Sequence, residues 1–441
     1  MDEKKSNGIK NLFTNRSRCV ILIVEQMFWE GQTMADRIIL HCDLNNFFAS
    51  VECLGRDDLK DKPVAVAGSI EKRHGIILAK NEIAKKHGVK TAEAIWEAKQ
   101  KCPSLTLVPP HYELYNSYSQ QVRAIYDRYT DTVEPFGIDE CWLDVTGSTM
   151  LFGTGEEIAE ELRKAVKKET GLTISVGVSF NKIFAKLGSD YKKPDAVTVI
   201  DRERFRDIVW PLDAGEMLGV GNATKQSLRR IGIFTLGDIA RTPPELLKTV
   251  LGKGGETLWK FANGLDNTPV ISSEFAPPPK SIGRSTTPPE DMRNINDILL
   301  VLIKLCDRVS HSLRENHALA GVIQVHIRDS KLKVTEHQRK LPQPVRLTEL
   351  LFKTGAQLIS EIWDGETPLR SIGIRACDLV GEEDCIQLSF DCDITHLDKM
   401  EKLEAEVETI RSRYGKDSVI RCRQLNSEQL GIYSSFGKNV L

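Results

Sequence analysis

Two acidic segments hold the side chains of this chain that are best suited to chemistry. Residues 38–44 are mostly apolar and carry Asp43 near their end, which predicts a buried strand that ends by presenting a carboxylate. About a hundred residues further on, Asp139 and Glu140 stand side by side before the alternating residues 141–145. This pattern is typical of a turn followed by a strand. If the two strands are neighbours in one sheet, the three carboxylates come together.

Three clustered carboxylates would offer hard oxygen ligands to a divalent cation. Mg²⁺ binds a few carboxylates and keeps coordination positions for the phosphates of a substrate. Two such ions that clamp the attacking and the leaving oxygen are one way to catalyse phosphoryl transfer. The alternative is that each acid is a solvated residue at the end of a strand. The sequence by itself leaves both interpretations open.

The composition is that of a globular protein with a near-neutral charge. The chain has 441 residues, enough for two to four domains, with 60 Lys and Arg against 62 Asp and Glu. This balance does not by itself indicate nucleic-acid binding, which depends on where the cations lie. Ten cysteines are scattered without Cys-x-x-Cys pairs or His/Cys ligand spacing. That favours a reduced cytoplasmic protein and argues against a disulfide framework or a zinc site.

Residues 1–33 are predicted to be an N-terminal extension with little function. Their apolar run, residues 19–24, is much shorter than the roughly 20 residues that span a bilayer. No small-residue cleavage site follows it, as a signal peptide would require. Residues 34–37 lead directly into the first predicted strand, as a native start would. We therefore expect no membrane anchor.

The hydrophobic pattern of the next part indicates a mixed α/β domain with an insertion. Residues 34–45 and 112–200 alternate predicted strands with helices at 113–129 and 156–169. They predict a split βαβ unit with an antiparallel sheet and helices on one face. Residues 46–111 are predicted to form a small inserted subdomain.

Short helices dominate residues 201–270, which also contain glycine turns at 218–222 and 251–255. Glycines that open a helix let backbone N–H groups approach a phosphate, although a tight turn explains Gly-x-Gly equally well. The proline-rich residues 271–279 are predicted to be a stiff linker.

The last two parts are predicted to be a separate domain and a tail. Residues 280–380 follow the order strand, helix, strand, strand, helix, strand, which predicts a second βαββαβ unit. Residues 381–441 form an acidic tail with a charged helix at 396–414. The apolar stripe of that helix predicts that it packs against a core.

Six segments, taken in order along the chain, resemble the Y-family translesion DNA polymerases of the bacterial DNA polymerase IV kind. The resemblance covers nearly everything after residue 34. The segments are Asp-Leu-Asn-Asn-Phe-Phe-Ala-Ser-Val-Glu at 43–52, Asp-Glu at 139–140, Val-Gly-Val-Ser-Phe-Asn-Lys at 176–182, Lys-Pro at 193–194, Leu-Gly-Val-Gly at 218–221 and Lys-Ser-Ile-Gly-Arg at 280–284.

The resemblance implies an α+β, right-hand polymerase fold whose parts coincide with the segments above. The implied parts are a ferredoxin-like palm (34–45 and 112–200), small fingers (46–111), a helical thumb with a helix-hairpin-helix (201–270), a linker (271–279), a separate βαββαβ little finger (280–380) and a C-terminal tail (381–441).

The resemblance also assigns the acidic residues. Asp43 and Asp139 are expected to bridge two Mg²⁺ ions, and Glu140 to complete the ion that activates the primer hydroxyl. The carbonyl of Leu44 is the expected backbone ligand of the other ion. Mn²⁺ is expected to substitute for Mg²⁺, and no general-base histidine is required when a metal lowers the pKa of the hydroxyl.

For the nucleotide, the resemblance implies an aromatic ring beneath the sugar and cations at the triphosphate. Phe48, beside Phe47, falls at the position of the ring that excludes a 2′-hydroxyl; the alternative is that it is a core residue. Lys193 is expected to reach the triphosphate. The Tyr and Arg that commonly grip the outer phosphates are replaced by Glu82 and Lys85. Lys85 keeps a charge without the bidentate fork, which predicts weaker nucleotide binding.

Expected DNA contacts lie in the thumb and the little finger. They are Gly219, Gly221, Arg284, Lys331, Lys333 and Arg339. The pattern places both lysines and Arg339 on strands, where backbone-phosphate contact and a merely solvated strand face are both open.

Residues 387–390, Gln387-Leu388-Ser389-Phe390, are similar to the peptide with which bacterial polymerases bind the sliding clamp, but one residue short. Residues 429–433 are a weaker candidate. The expected partners are therefore primer–template DNA, deoxynucleoside triphosphates and a sliding clamp, and the protein is expected to be a cytoplasmic monomer.

The resemblance thus implies template-directed, low-fidelity DNA synthesis past damage by a two-metal mechanism, and the sequence shows no second acidic constellation that would indicate proofreading. One alternative is a catalytically impaired member of the family that binds DNA or the clamp as an adaptor, and the altered residues 82 and 85 keep it open. Another is a nucleotidyl cyclase, for which a shorter chain without the second βαββαβ unit would be expected.

Overall fold

The computed structural model describes residues 37–71, 73, 75–275, 277–384, 394–415 and 418–422. The predictions for residues 1–33, for Gln387, Leu388 and Phe390, and for residues 429–433 lie outside the described residues. The chain divides into two compact units. The first comprises Met1–Asp57 and His111–Phe275, and the second Asp58–Pro110 and Ala276–Leu441.

Both units combine sheets with helices. The strands are β1 (Ile39–Leu44), β2 (Val64–Ala67), β3 (Ile77–Lys80), β4 (Thr106–Val108), β5 (Val133–Pro135), β6 (Glu140–Asp144), β7 (Ile174–Ser179), β8 (Val197–Ile200), β9 (Ser281–Thr286), β10 (Ala318–Asp329), β11 (Val334–Val345) and β12 (Leu369–Gly381). The α-helices are α1 (Phe47–Cys53), α2 (Glu82–Lys86), α3 (Ile95–Lys101), α4 (Tyr112–Tyr126), α5 (Thr149–Phe152), α6 (Gly155–Thr170), α7 (Lys182–Tyr191), α8 (Phe205–Val209), α9 (Asn222–Arg230), α10 (Leu236–Arg241), α11 (Pro244–Leu251), α12 (Lys253–Ala262), α13 (Ile295–Glu315), α14 (Thr348–Ile362) and α15 (Ile394–Tyr414).

The first unit is built on a five-stranded sheet in the order β5-β6-β1-β7-β8. Its central strand β1 is antiparallel to both β6 and β7. The prediction of an antiparallel sheet is wrong at one edge, where β8 runs parallel to β7. The chain crosses from β7 to β8 through α7, and a crossover of this length returns the chain in the same direction.

The two faces of this sheet are covered by different helices. Leu40 and Cys42 of β1 point into the larger core that α4 and α6 complete. Ile39, one position away, packs against Ala185 of α7 on the opposite face. The prediction of helices on one face is therefore wrong, because α7 covers the other. Since side chains alternate along a strand, Asp43 belongs to the α7 face together with Ile39.

Close packing of α7 against β7 depends on one glycine. A Cβ atom built on Gly177 would lie 1.9 Å from the carbonyl oxygen of Ala185, inside any permitted contact. The helix begins at a side-chain cap, where the carboxamide oxygen of Asn181 accepts a hydrogen bond from the amide of Phe184 at 2.8 Å. The cap and the glycine together fix where α7 starts and how deeply it sits.

The rest of the first unit is mostly helical, as predicted for residues 201–270. Helices α8 to α12 enclose a separate core with buried Leu228, Leu236 and Leu247. One of these short helices is α9, which follows Gly219 and Gly221. Gly219 has a left-handed φ of 88°, a conformation that L side chains rarely adopt.

In the second unit, β2, β3 and β4 form a small sheet with α2 and α3, and β9 to β12 form a larger one in the order β11-β10-β12-β9. Helices α13 and α14 cover one face of the larger sheet around a core that includes Leu302, Leu358 and Ile374. The chain order β9-α13-β10-β11-α14-β12 is the predicted βαββαβ arrangement.

Helix α15 packs in an unexpected orientation. Glu404 is 5 % exposed and pairs with Arg314 of α13 at 2.9 Å and with Arg421 at 2.7 Å. Of the predicted stripe, Leu403 and Ile410 are 54 % and 40 % exposed, whereas Met400 and Val407 are half-buried beside Asp307 and Arg314 of α13. The prediction that the whole stripe faces a core is wrong, because the side turned to α13 also carries the charged Glu404 and Arg411.

Among the described residues, no helix is both long and apolar enough to cross a membrane.

The glycine contact under α7 predicts a stability effect. Gly177→Ala should lower the free energy of unfolding by about 2–3 kcal/mol, because the added methyl group overlaps the backbone of Ala185. Gly254→Ala is the matched control, since a Cβ there meets nothing within 4 Å and alanine favours a helix. Denaturant unfolding of both variants measures the difference, and equal stabilities would contradict this packing.

Candidate active site

The register of β1 and β6 brings the predicted acids to adjacent strand ends. The amide of Leu44 donates a hydrogen bond to the carbonyl of Asp139 at 3.1 Å, which makes these two a hydrogen-bonded pair. The next pair along the ladder, Asp43 opposite Glu140, is then of the non-hydrogen-bonded kind, in which side chains approach most closely. The structure therefore places Asp43, Asp139 and Glu140 around one corner of the sheet.

Two lysines hold these carboxylates. The ammonium group of Lys186, on α7, lies 3.1 Å from Asp43 Oδ2 and 3.1 Å from Glu140 Oε1. Lys193, just after α7, lies 2.8 Å from the same Asp43 oxygen. Asp190 contacts both lysines, at 3.1 Å and 2.7 Å. Burial lowers the pKa of each lysine, but the neighbouring carboxylates outweigh it and raise both pKa values.

A buried histidine lies beneath the acidic corner. His41 is on the same face of β1 as Asp43, and its Nδ1 is 2.8 Å from the hydroxyl of Ser189 on α7. Its Nε2 is 3.3 Å from Glu140 Oε2. Burial lowers the pKa of His41 even though Glu140 opposes this effect. The ring thus lies between α7 and the acidic corner, with Nδ1 on Ser189 and Nε2 facing the Glu140 carboxylate.

The pKa values of the two neighbouring acids of the second segment, Asp139 and Glu140, are shifted in opposite directions. Burial, and then the charges of Asp43 and Glu140, raise the pKa of Asp139 to about 6. Burial also acts on Glu140, but its contacts with His41 and Lys186 prevail and lower its pKa to about 2. Asp139 is thus the carboxylate whose negative charge is least compensated by this protein's own cations.

Within the described ranges, no three or more His, Cys, Asp and Glu side chains are arranged as a metal site. The ammonium group of Lys186 occupies the place between Asp43 and Glu140. The three acids are gathered as predicted, but oxygens of Asp43 and Glu140 are turned toward the lysines.

Phe47 and Phe48 follow β1 directly and have different surroundings. Phe47 is 3 % exposed and belongs to the core of the first unit. Phe48 lies partly buried at the edge of that core and stacks on Tyr115, with ring centroids 4.1 Å apart and an interplanar angle of 12°. Tyr112 meets the edge of the Phe48 ring at 6.0 Å. The ring of Phe48 is therefore the one with a free side.

Sequence reasoning did not identify Lys186, Asp190 or His41. A usable signal was present, because Lys182, Lys186 and Asp190 recur every four residues after the cap Asn181 and therefore share one face of a helix. Lys182 ion-pairs with Glu134 at 2.6 Å on this face. His41 could have been found from strand alternation, which puts it on the same side as Asp43.

Lys85 lies on α2 in the second unit. Its ammonium group is 3.5 Å from Glu82 Oε1, so the two residues that depart from the family pattern pair with each other. In the first unit, Gly221 immediately precedes α9, and a Cβ on it would meet nothing within 4 Å. The protein's own packing therefore does not require a glycine at 221.

Two predicted DNA contacts lie on the helix-covered side of the larger sheet. Arg284 donates to the hydroxyl of Ser312 on α13 at 3.0 Å, and Arg339 ion-pairs with Glu361 of α14. The prediction that Lys331 and Lys333 lie on strands is wrong. They lie in the turn between β10 and β11, where Leu332 has a φ of 68°.

Comparison with known proteins gives the same result for both halves of the chain. Residues 42–190 match the impB/mucB/samB family, and residues 279–390 match the C-terminal domain of that family. DNA polymerase IV of Acetivibrio thermocellus is 47 % identical over 87 % of this chain and 96 % of its own length. DNA polymerase IV 2 of Bacillus subtilis is 34 % identical over 89 % and 96 %.

Solved structures agree with the sequence comparisons. A Y-family DNA polymerase chimera, Dbh-Dpo4(243-245)-Dbh, is 27 % identical with a TM-score of 0.70, covering 78 % of this chain and 99 % of its own. A Dbh ternary complex gives the same identity and coverage with a TM-score of 0.57. The chain belongs to the impB/mucB/samB family of Y-family DNA polymerases, and the resemblance noted in the sequence and its α+β polymerase fold are confirmed.

The raised pKa of Asp139 predicts a pH-dependent stability change. In metal-free protein, Asp139→Asn should stabilise the fold at pH 8 by about 1–2 kcal/mol after allowing for solvent screening. The carboxyl binds its proton more tightly when folded, so the wild type gains stability as the pH falls from about 6 towards 4. The advantage of the variant should therefore disappear at pH 4.

Glu140→Gln is the control, for which the stability at pH 8 should change in the opposite direction. Its lowered pKa means that the ionised form stabilises the fold at pH 8, so this variant should lose stability there. Thermal unfolding in EDTA measures both changes, and stabilisation by Glu140→Gln would contradict the arrangement around Lys186.

Proposed function

We propose that this chain is a DNA-directed DNA polymerase that extends primers past template damage, at low fidelity and without proofreading. The observation that carries the proposal is the corner formed by Asp43, Asp139 and Glu140 at adjacent strand ends. The membership of the chain in the Y family supports it. The absence of proofreading is inferred from the sequence, which contains no second pair of acidic segments of this kind.

Asp43, Asp139, Glu140 and the carbonyl of Leu44 are the groups that would hold two Mg²⁺ ions. The donor set fits, because the three carboxylates are hard oxygen ligands and the negative charge of Asp139 is the one least compensated by the protein's own cations. Such ions would activate the primer hydroxyl and stabilise the departing pyrophosphate. Mn²⁺, with the same ligand preference, should replace Mg²⁺.

The lysines have two functions in this proposal. The side chain of Lys193 is flexible and 27 % exposed. When a nucleotide binds, its ammonium group would leave Asp43 and pair with the triphosphate. Lys186 is more deeply placed, 14 % exposed, and would keep Glu140 oriented. A lysine is suited to both because it is a compact charge without a fixed hydrogen-bonding plane.

Phe48 would place the free side of its ring beneath the sugar, where a 2′-hydroxyl would collide with it. We assign no such contact to Phe47, whose ring is part of the core. Lys85, on the second unit, stays a prediction from the resemblance, and its pairing with Glu82 favours weak phosphate binding.

The uncovered face of the larger sheet is the proposed DNA surface of the second unit. Strand alternation and register turn Lys340, Arg375 and Arg328 to that face, opposite to α13 and α14. All three are exposed. Such cations contact backbone phosphates without reading sequence, as an enzyme that copies any template requires. Sliding-clamp binding through Gln387, Leu388 and Phe390 remains a prediction from the sequence.

Replacing the acids tests the polymerase directly. Asp139→Ala and Glu140→Ala should each reduce primer extension with Mg²⁺ and deoxynucleotides by about a thousandfold or more, because charge at the reacting phosphate is no longer stabilised. Both variants should still bind primed DNA. If the native protein binds primed DNA but extends nothing, even with Mn²⁺, the protein is a DNA-binding adaptor instead.

The salt dependence of DNA binding tests the proposed surface. Arg375→Ala should weaken binding to all sequences alike and reduce the slope of log K against log salt by about 1. Arg339→Ala, on the covered side of the same sheet, removes the same charge and should leave the slope unchanged. A larger change for Arg339→Ala would assign the DNA to the other face.

A further inference from the structure

Behind Phe48, three side chains form a connected support within the first unit. The Phe48 ring lies nearly parallel to Tyr115, 4.1 Å away. The hydroxyl of Tyr115 donates a short hydrogen bond to Glu52 Oε1. His111 Nδ1 lies 2.8 Å from the same carboxylate oxygen. Each member touches the next, from the exposed His111 to the ring of Phe48.

The arrangement holds Tyr115 at two points. Phe48 and Glu52 are one helical turn apart on α1 and so lie on the same side of it. Phe48 covers the face of the tyrosine ring, and Glu52 binds the hydroxyl at its end. Tyr115 is fully buried and Glu52 is 5 % exposed, so neither can move without breaking contacts.

Neither interaction is easily replaced. Glu52 is buried, and a buried carboxylate that gives up one of its hydrogen bonds loses free energy. It therefore holds the Tyr115 hydroxyl, although His111 contacts the same oxygen. Helix α1 has only seven residues and cannot fix its own orientation, because helices of this length depend on tertiary contacts. The plane of the Phe48 ring is therefore set by Tyr115, on which it stacks.

We infer that Tyr115 and Glu52 are positioning residues that determine how strictly the protein distinguishes deoxyribonucleotides from ribonucleotides. The inference rests on the proposed function, in which the Phe48 ring meets the sugar. A ring excludes a hydroxyl group only if it resists displacement, since a tilt of a few tenths of an ångström relieves the collision. The Tyr115–Glu52 hydrogen bond supplies that resistance, and it contacts neither the nucleotide nor a metal.

The test compares single additions of dCTP and CTP opposite a template dG. Tyr115→Phe keeps the stacked ring and removes only the hydroxyl. It should lower the ratio of kcat/KM for dCTP to that for CTP by about tenfold, the effect of one lost hydrogen bond. The change should come from faster use of CTP, with kcat/KM for dCTP altered by less than about threefold.

Tyr112→Phe is the matched control. It is the same chemical change on the same helix, its ring also contacts Phe48, and the side chain is 53 % exposed. The ratio of kcat/KM for dCTP to that for CTP (the sugar ratio) should equal that of the wild type. Circular dichroism and thermal unfolding check that both variants are folded.

Two Glu52 variants provide the second measurement. Glu52→Gln keeps an acceptor oxygen for the hydroxyl and should preserve the sugar ratio, whereas Glu52→Leu removes the acceptor and should lower the ratio as Tyr115→Phe does. In a Phe48→Ala background, Tyr115→Phe should have no further effect, because its action passes through the missing ring.

The outcomes separate this inference from the proposed function. Equal sugar ratios for Tyr115→Phe and Tyr112→Phe, or a Tyr115 effect that persists without the Phe48 ring, would overturn the inference while dCTP addition still supports the polymerase. Failure of the wild type to add dCTP would overturn the proposed function, and this inference with it.

Discussion

The contact between α7 and the face of β1, β6 and β7 is the interaction on which the site depends. Strand alternation places carboxylates on that face, where burial alone would make their ionisation costly. Helix α7 brings Lys186 over them, and the chain that leaves it brings Lys193. The carboxylates in turn keep these lysines charged. The helix can pack this closely on β7 only because residue 177 is a glycine. This close packing brings Lys186 into contact with Asp43 and Glu140.

This contact also explains why the acids differ from one another. Glu140 receives both an ammonium group and the ring of His41, and its ionised form is stabilised. Asp139, one residue earlier and on the turn, contacts neither a lysine nor His41. Burial, and then the negative charges of Asp43 and Glu140 beside it, raise its pKa. The same short segment therefore contains one carboxylate that stabilises the folded protein and one that is kept at the expense of stability. The second kind is characteristic of a residue retained for function.

The acidic residues of the site and the order of elements in the second unit could be predicted from the sequence, whereas the position of Lys186 over these acids could not. Asp43 and the pair Asp139–Glu140 were identifiable because an apolar strand that ends in an acid depends only on local pattern. The βαββαβ order of the second unit follows from periodicity in the same way. Lys186 was missed because the face that a crossover helix presents to a sheet depends on its packing. The position of Lys331 was wrong because a left-handed residue, Leu332, ends the strand pairing early.

The apolar stripe of α15 shows the limit of periodicity most clearly. Its spacing correctly indicates a helix with two unlike sides, but the side that makes contact is chosen by the partner surface. Here that surface is α13, which presents Arg314 and Asp307, and the charged side of α15 matches it.

The way in which α15 is attached has a consequence for ionic conditions. A helix that docks through apolar contacts is insensitive to dilute salt and is held more tightly by strongly excluded salts. α15 docks through ion pairs, among them Arg411 with Asp307 at 2.8 Å, and added electrolyte screens the partly exposed pairs of this set. The helix is therefore attached most firmly in dilute solution, and the ionic strength of the surroundings sets how securely α15 is held against α13.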